Sequence, residues 1–233
     1  MLLFISKIKL VDSDFFQGFT DWHSHILPGV DDGAKDSDEA LEILEYFKLL
    51  GIKKVFLTPH IKNNLTVNKE ELLSKVNLLR KYAGDEIELL LSAEYILDSG
   101  FEKCFKCQPL YLNDGYILVE TSCLYLQENF YELLYLISVE GNIPVIAHPE
   151  RYLYMKDDDY YRLKNNDYSF QLSLLSLSGY YGKVVKKRAT RMLMRGMYDY
   201  VGTDIHDLHT FKIWLNKLYV TKEQLNMLLS LSK

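Results

Sequence analysis

Gly18-Phe19-Thr20-Asp21-Trp22-His23-Ser24-His25-Ile26-Leu27-Pro28-Gly29-Val30-Asp31-Asp32-Gly33 begins the stretch whose reading decides the fold. Gly18–His23 has the apolar content of a strand. The next loop ends at Asp36 and Ser37, both good N-caps for an amphipathic helix over Asp38–Leu50. Leu41, Leu44, Phe47 and Leu50 give its buried stripe, and Gly51 is placed to stop it. Lys54–Thr58 is then a second strand, closing on Pro59-His60. A strand ends in a polar residue, a helix follows, and the next strand begins.

The same unit recurs downstream. A helix is predicted over Asn68–Ala83, with Leu72, Leu73, Val76, Leu79 and Tyr82 facing inward, then a strand Ile87–Ala93 ending at Glu94. Asp98–Asp114 reads as irregular and contains Cys104 and Cys107. Tyr116–Val119 is a strand ending at Glu120, Asn129–Glu140 a helix, and Ile143–Ala147 a strand ending at His148. A polar helix, Asp157–Asn165, precedes a weaker strand, Ser169–Leu172. A helix over Tyr181–Arg195 leads to the last strand, Tyr198–Thr203, ending at Asp204-Ile205-His206. Leu208–Lys233 reads as helical with a break near Thr221.

Seven strands alternating with helices predict an α/β protein with a parallel sheet. The continuous apolar runs suit strands covered on both faces. A single barrel domain over residues 1–233, with 1–17 as an N-terminal extension, is the simplest assembly; a doubly wound open sheet is the competitor.

The chain has 233 residues, 27 Lys+Arg, 32 Asp+Glu and 3 Cys, for a net charge of −5. At 48% apolar and 25% charged, it is an ordinary globular composition. The negative charge argues against nucleic acid as a partner. Three cysteines do not make a secreted disulfide framework. Met1–Lys9 lacks the organisation of a signal peptide, and no apolar run reaches the roughly 18 residues of a membrane span. These features predict a soluble, cytoplasmic protein.

Five of the six histidines fall at strand ends. In a closed parallel barrel those ends share one rim, so His23, His25, His60, Glu94, Glu120, His148, Asp204 and His206 would converge there, with Asp32 from the first loop. Imidazole plus carboxylate is the donor set for Zn²⁺, Mn²⁺ or Fe. His23 and His25, two apart on a strand, point to the same side. Each residue alone has an ordinary structural explanation. Together they would be a costly concentration of buried charge without cations.

The run Asp21–Gly33 resembles the opening motif of the bacterial metal-dependent protein-tyrosine phosphatases of capsule and exopolysaccharide operons, in the polymerase-and-histidinol-phosphatase (PHP) superfamily. Thr58-Pro59-His60, Ala93-Glu94, Val119-Glu120, Ala147-His148-Pro149-Glu150-Arg151, Gly179-Tyr180-Tyr181-Gly182 and Gly202-Thr203-Asp204-Ile205-His206 match in order. The resemblance implies a distorted seven-stranded (β/α) barrel holding three divalent ions, Mn²⁺ first, with Fe or Zn as options. It implies His23, His25, Glu94 and Asp204 for one ion, Glu94, Glu120 and His148 for a second, and Asp32, His60 and His206 for a third. It gives Arg151 as the residue that binds substrate phosphate. In a metal-assisted hydrolysis His206 or Asp204 could in addition shuttle a proton. The implied partner is a phosphotyrosine-bearing tyrosine kinase, and an oligomer is compatible with it. Two departures stand out: Ser173 occupies a position where the family often has Asn, and no Arg-Pro segment follows His206, leaving Lys212 as a point-charge substitute.

A cysteine-based phosphatase is excluded on spacing. Arg must follow the nucleophile by six positions, and Leu110, Asn113 and Asn129 stand there. The basic stretch Lys183–Arg195 reads as a solvated helix face, with Val185, Ala189, Met192 and Leu193 buried behind it. The rival functions are a small-molecule phosphoesterase such as a histidinol-phosphate phosphatase, an amidohydrolase-type barrel, and a non-catalytic regulator that binds the phosphorylated tail. No strand closes on the lysine ligand common in amidohydrolases.

Overall fold

The computed structural model describes residues 6–62, 68–107 and 109–231. Met1–Ile5 of the leader reading, Gln108 of the irregular stretch, and Ser232 and Lys233 of the last predicted helix lie outside them. The strands are β1 (Lys7–Lys9), β2 (Thr20–Ser24), β3 (Lys54–Leu57), β4 (His60–Ile61), β5 (Glu88–Leu91), β6 (Glu94–Ile96), β7 (Tyr116–Glu120), β8 (Ile143–Ala147), β9 (Ser169–Ser173), β10 (Tyr200–Gly202) and β11 (Tyr219–Thr221). The helices are α1 (Ser37–Leu50), α2 (Lys69–Ala83), α3 (Phe101–Cys107), α4 (Phe130–Val139), α5 (Asp157–Asn165), α6 (Lys183–Met194), α7 (Leu208–Leu215) and α8 (Lys222–Leu231). Among the described residues, no helix is long and apolar enough to cross a membrane.

The first unit forms as its residues dictate. Asp36 accepts from Glu39 N at 3.0 Å to cap α1, and Gly51, at φ 95°, ends it in the left-handed region that favours glycine. The second and third predicted strands are each broken in two. Pro59 has no N–H to give a ladder, so pairing with β5 stops at Leu57 and resumes as β4 against β6, where His60 stands opposite Glu94. Glu94 therefore begins a strand segment rather than ending one.

All pairing among β2–β10 is parallel, in the orders β10-β9-β8-β7-β6-β4 and β2-β3-β5. The result is a mixed α/β fold on a curled parallel sheet. The curl is visible in two places. Tyr116 of β7 and Tyr200 of β10 meet at 6.0 Å although two strands separate them in the sheet order. Asp204 N also donates to His23 O at 2.8 Å, and His25 N to Ile205 O at 3.0 Å, joining the end of β10 to β2. A small apolar cluster includes Trp22, Phe56, Leu118, Val145 and Tyr200; the larger one runs from Leu10 to Leu228.

Three local expectations are corrected. Asp98–Asp114 contains α3, which buries Phe101 and Phe105. On α2 the buried face is Leu72, Val76, Leu79 and Ala83, while Leu73 and Tyr82 are exposed, because the stripe follows i, i+4, i+7 from Leu72. The break expected near Thr221 in the C-terminal helix is present, but it holds a strand, β11, which pairs antiparallel with β1 through Ile8 opposite Val220. A strand of three residues depends on that distant partner and leaves little local signal. Phe15 and Phe16, from the predicted extension, are buried.

Candidate metal centre

Glu94 is the hub. Its Oε2 lies 3.1 Å from His23 Nε2, 3.4 Å from His25 Nε2 and 3.1 Å from His60 Nδ1. Its Oε1 lies 3.0 Å from His148 Nε2. Glu120 reaches His60 Nδ1 at 3.2 Å and His148 Nε2 at 3.5 Å. Asp204 Oδ1 is 3.6 Å from both His23 Nε2 and His25 Nε2. Asp32 lies at the mouth, 3.6 Å from His60 Nε2 and 3.5 Å from His206 Nε2. All nine predicted ligand candidates thus meet.

Among the described residues, three sets have ligand atoms within 4.8 Å of one another: His23, His25 and Asp204; His60, Glu94 and Glu120; and His25, Asp32, His60 and His206. The chemistry of this donor set fits divalent cations. Two buried atoms test that fit directly. Glu94 Oε2 and His60 Nδ1 have no hydrogen-bond partner, despite the crowd of nitrogens and oxygens around them. Buried polar atoms are rarely left so, and a shared cation would satisfy both.

The backbone carries strain at the same place. His148, at φ 33°, and Asp204, at φ 54°, are non-glycine residues in the left-handed region. Glycine is required at Gly202, where a Cβ would stand 2.5 Å from His23 Cβ, and at Gly33, where it would run into the His25 carbonyl.

Without cations the cage titrates far from ordinary values. Burial depresses the His23 imidazole, but the Glu94 and Asp204 carboxylates outweigh it and raise it to about 9. Burial and the charge of Glu94 push Glu120 up to about 7. Burial, then the Arg151 guanidinium, bring His148 down to about 4. Burial opposes ionisation of Asp204, yet His23, His148 and Arg151 hold it well below the usual carboxylate range.

Three supporting residues escaped the sequence reading. Asp31 accepts His25 Nδ1–H at 2.7 Å and His60 N–H at 2.9 Å, so it orients one ligand and anchors another. It lay inside the opening motif, next to the chosen Asp32. Gln171 Oε1 meets His23 Nδ1 at 2.9 Å and His148 N at 3.3 Å from mid-strand, with no local signal. Tyr181 OH donates to Asp204 Oδ2 at 3.1 Å, and its ring lies 4.4 Å beneath the Arg151 guanidinium. It belongs to the Gly179–Gly182 motif.

Arg151 Nη1 reaches Asp204 Oδ2 at 3.2 Å and lines a cleft of about 320 Å³ with Asp32, His206 and Tyr181. Lys212 does not join it. Its ammonium sits 4.5 Å over the Tyr46 ring, in a groove with Asp38 and Glu42. Position 212 turns it to the α1 side of α7, while Phe211 and Thr210 face the cleft. The arginines of the basic stretch are engaged: Arg188 binds Tyr152 O and Tyr160 OH, and Arg191 and Arg195 pair with Asp157. The three cysteines are free.

The family model for capsular polysaccharide synthesis, CpsB/CapC, matches residues 19–220. The chain belongs to the CpsB/CapC family. It is 30% identical over 213 residues to the tyrosine-protein phosphatase YwqE of Bacillus subtilis, covering 88% of this chain and 84% of YwqE. It is 29% identical over 213 residues to the tyrosine-protein phosphatase CpsB of Streptococcus pneumoniae, covering 85% and 87%. The fold resembles a crystal structure from a study of YwqE and CpsB as metal-dependent tyrosine phosphatases, with a TM-score of 0.75 and 29% identity over 90% of this chain and 85% of that one. A dihydroorotase-like domain from Chaetomium thermophilum shares the fold alone, with a TM-score of 0.51 and 11% identity over 81% of this chain and 63% of that one.

Proposed function

We propose that this chain is a manganese-dependent protein-tyrosine phosphatase acting on the phosphotyrosine tail of a capsule or exopolysaccharide tyrosine kinase in the cytoplasm. The observation that carries the reading is Glu94 Oε2, faced by three imidazole nitrogens and left without a hydrogen bond, beside a cleft bearing Arg151. We also read residues 1–233 as one domain, a distorted seven-stranded barrel of the PHP type; the bonds between the end of β10 and β2 support that closure.

His23, His25, Glu94 and Asp204 would hold one ion, Glu94, Glu120 and His148 a second, and Asp32, His60 and His206 a third. Bound divalent ions supply Lewis acidity toward the phosphoryl oxygens and acidify water. Arg151 offers a planar fork to the phosphate as charge moves onto the leaving oxygen. Tyr181 keeps that fork in place from below. Asp204 takes Arg151 and Tyr181 on Oδ2, leaving Oδ1 toward His23 and His25. His206, whose Nδ1 donates to the Asp204 carbonyl at 3.1 Å, stands with Asp204 as a proton carrier. A tyrosine phenolate, with a parent pKa of about 10, needs little help to leave.

The test is turnover by the purified, Mn²⁺-loaded protein of a phosphotyrosine peptide, histidinol phosphate and a phosphoserine peptide. Metal-dependent release from the phosphotyrosine peptide above the other two is the expected result. Preference for histidinol phosphate would replace the substrate, and no release from any would remove the enzymatic reading.

A further inference from the structure

The cleft beside the cage has a mixed lining. Asp32, Arg151, Asp204, His206, Asp207 and Thr210 are its charged and polar side chains, and Leu175, Tyr180, Tyr181, Ile205 and Phe211 its apolar and aromatic ones. Tyr180 is 40% exposed there, an aromatic ring facing solvent beside a buried charge cluster. It is nonetheless held firmly. Gly179 and Gly182, at φ 97° and 95°, bend the chain on either side, and Gly182 N donates to Gly179 O at 2.9 Å. Tyr180 N donates to Ser178 Oγ at 3.2 Å. The Tyr180 ring sits 4.6 Å from the Tyr181 ring and 5.6 Å from Trp214 of α7. Through Tyr181, which underlies Arg151, the wall is fixed relative to the phosphate-binding fork.

An amphipathic cleft of this size fits a ligand with a phosphate at one end and a flat apolar body at the other. We infer that Tyr180, braced by Tyr181 and Trp214, is the specificity-determining residue that receives the aromatic ring of an aryl phosphate, a role that rests on the phosphatase reading above. An alkyl phosphate presents no ring to this wall. Because the ring already packs against two neighbours, less ordering entropy opposes the contact. An aromatic contact of this kind changes affinity by about twofold to twelvefold.

The experiment compares two non-hydrolysable probes, phenylphosphonate and methylphosphonate, binding to Mn²⁺-loaded protein, read by calorimetry and by intrinsic tryptophan fluorescence. The wild type is expected to prefer the phenyl probe. Tyr180→Ala should lower that preference about twofold to twelvefold, and Tyr180→Phe, which keeps the ring, should retain it. On a phosphotyrosine peptide, Tyr180→Ala should raise KM with little change in kcat. An unchanged preference in Tyr180→Ala, or a loss confined to kcat, overturns the inference. Absence of turnover by the wild type, with the phenyl preference still dependent on Tyr180, removes the catalytic reading and leaves this one. Turnover with an unchanged preference removes this one alone.

Discussion

The Nε2 atoms of His23 and His25 lie 3.0 Å apart, and both face the same Glu94 oxygen. Two imidazoles in that arrangement with an unpartnered carboxylate oxygen are suited to chelate a cation, which would satisfy all three. Mn²⁺ should therefore stabilise the protein. At one hundred times its dissociation constant, one ion adds about 2.7 kcal/mol. For a chain of this size that is a rise of about 5–10 °C in Tm. Thermal unfolding with Mn²⁺ and with EDTA checks it; equal midpoints would contradict the cage.

Asp31 acts through its neighbours. Its carboxylate fixes the His25 tautomer and holds the His60 backbone. Asp31→Ala should weaken metal affinity or activity by about 10–100-fold with the fold retained. A metal titration followed by circular dichroism separates the two effects, and wild-type affinity in the variant would refute the role.

Arg151 is the cleft-lining cation among the described residues. Arg151→Ala should reduce kcat/KM on phosphotyrosine by about 10–100-fold, the range for hydrogen bonds to a charged group. Lys212→Ala should change it little, since Lys212 packs over Tyr46. Steady-state kinetics on both variants would show a reversed order if the assignment is mistaken.

Glu150 is fully buried and accepts from Ser173 N, Ser176 Oγ and Tyr198 OH, yet burial still raises its carboxyl to about 7. The folded state binds this proton more tightly than the unfolded chain does. Its contribution is complete below about pH 4.5 and is lost as pH rises through about 7. Denaturant unfolding of the metal-free protein should show the wild type losing up to about 3 kcal/mol relative to Glu150→Gln across that window. A constant difference between them would contradict the shift.

Much of the site was legible because its signals are local. Apolar runs closing on Glu120, His148 and Asp204 mark strand ends, and parallel strands bring such ends together, whereas His60 and Glu94 open the short strands β4 and β6. Asp31 was passed over because two adjacent aspartates look alike until their side chains are placed. Gln171 and Tyr181 bond candidate ligands 148 and 23 positions away, and no local pattern announces those contacts.

The order of residues determined the alternation of strands and helices, the metal-competent rim and the exclusion of a cysteine nucleophile, because periodicity and spacing are properties of neighbouring residues. The tertiary structure decided that Glu94 is the hub, that Tyr181 braces Arg151, that Lys212 faces Tyr46 and that β11 pairs with β1. Those are contacts between segments far apart in the chain, and they exist only once the curled sheet and its packed helices bring the segments within a few ångströms.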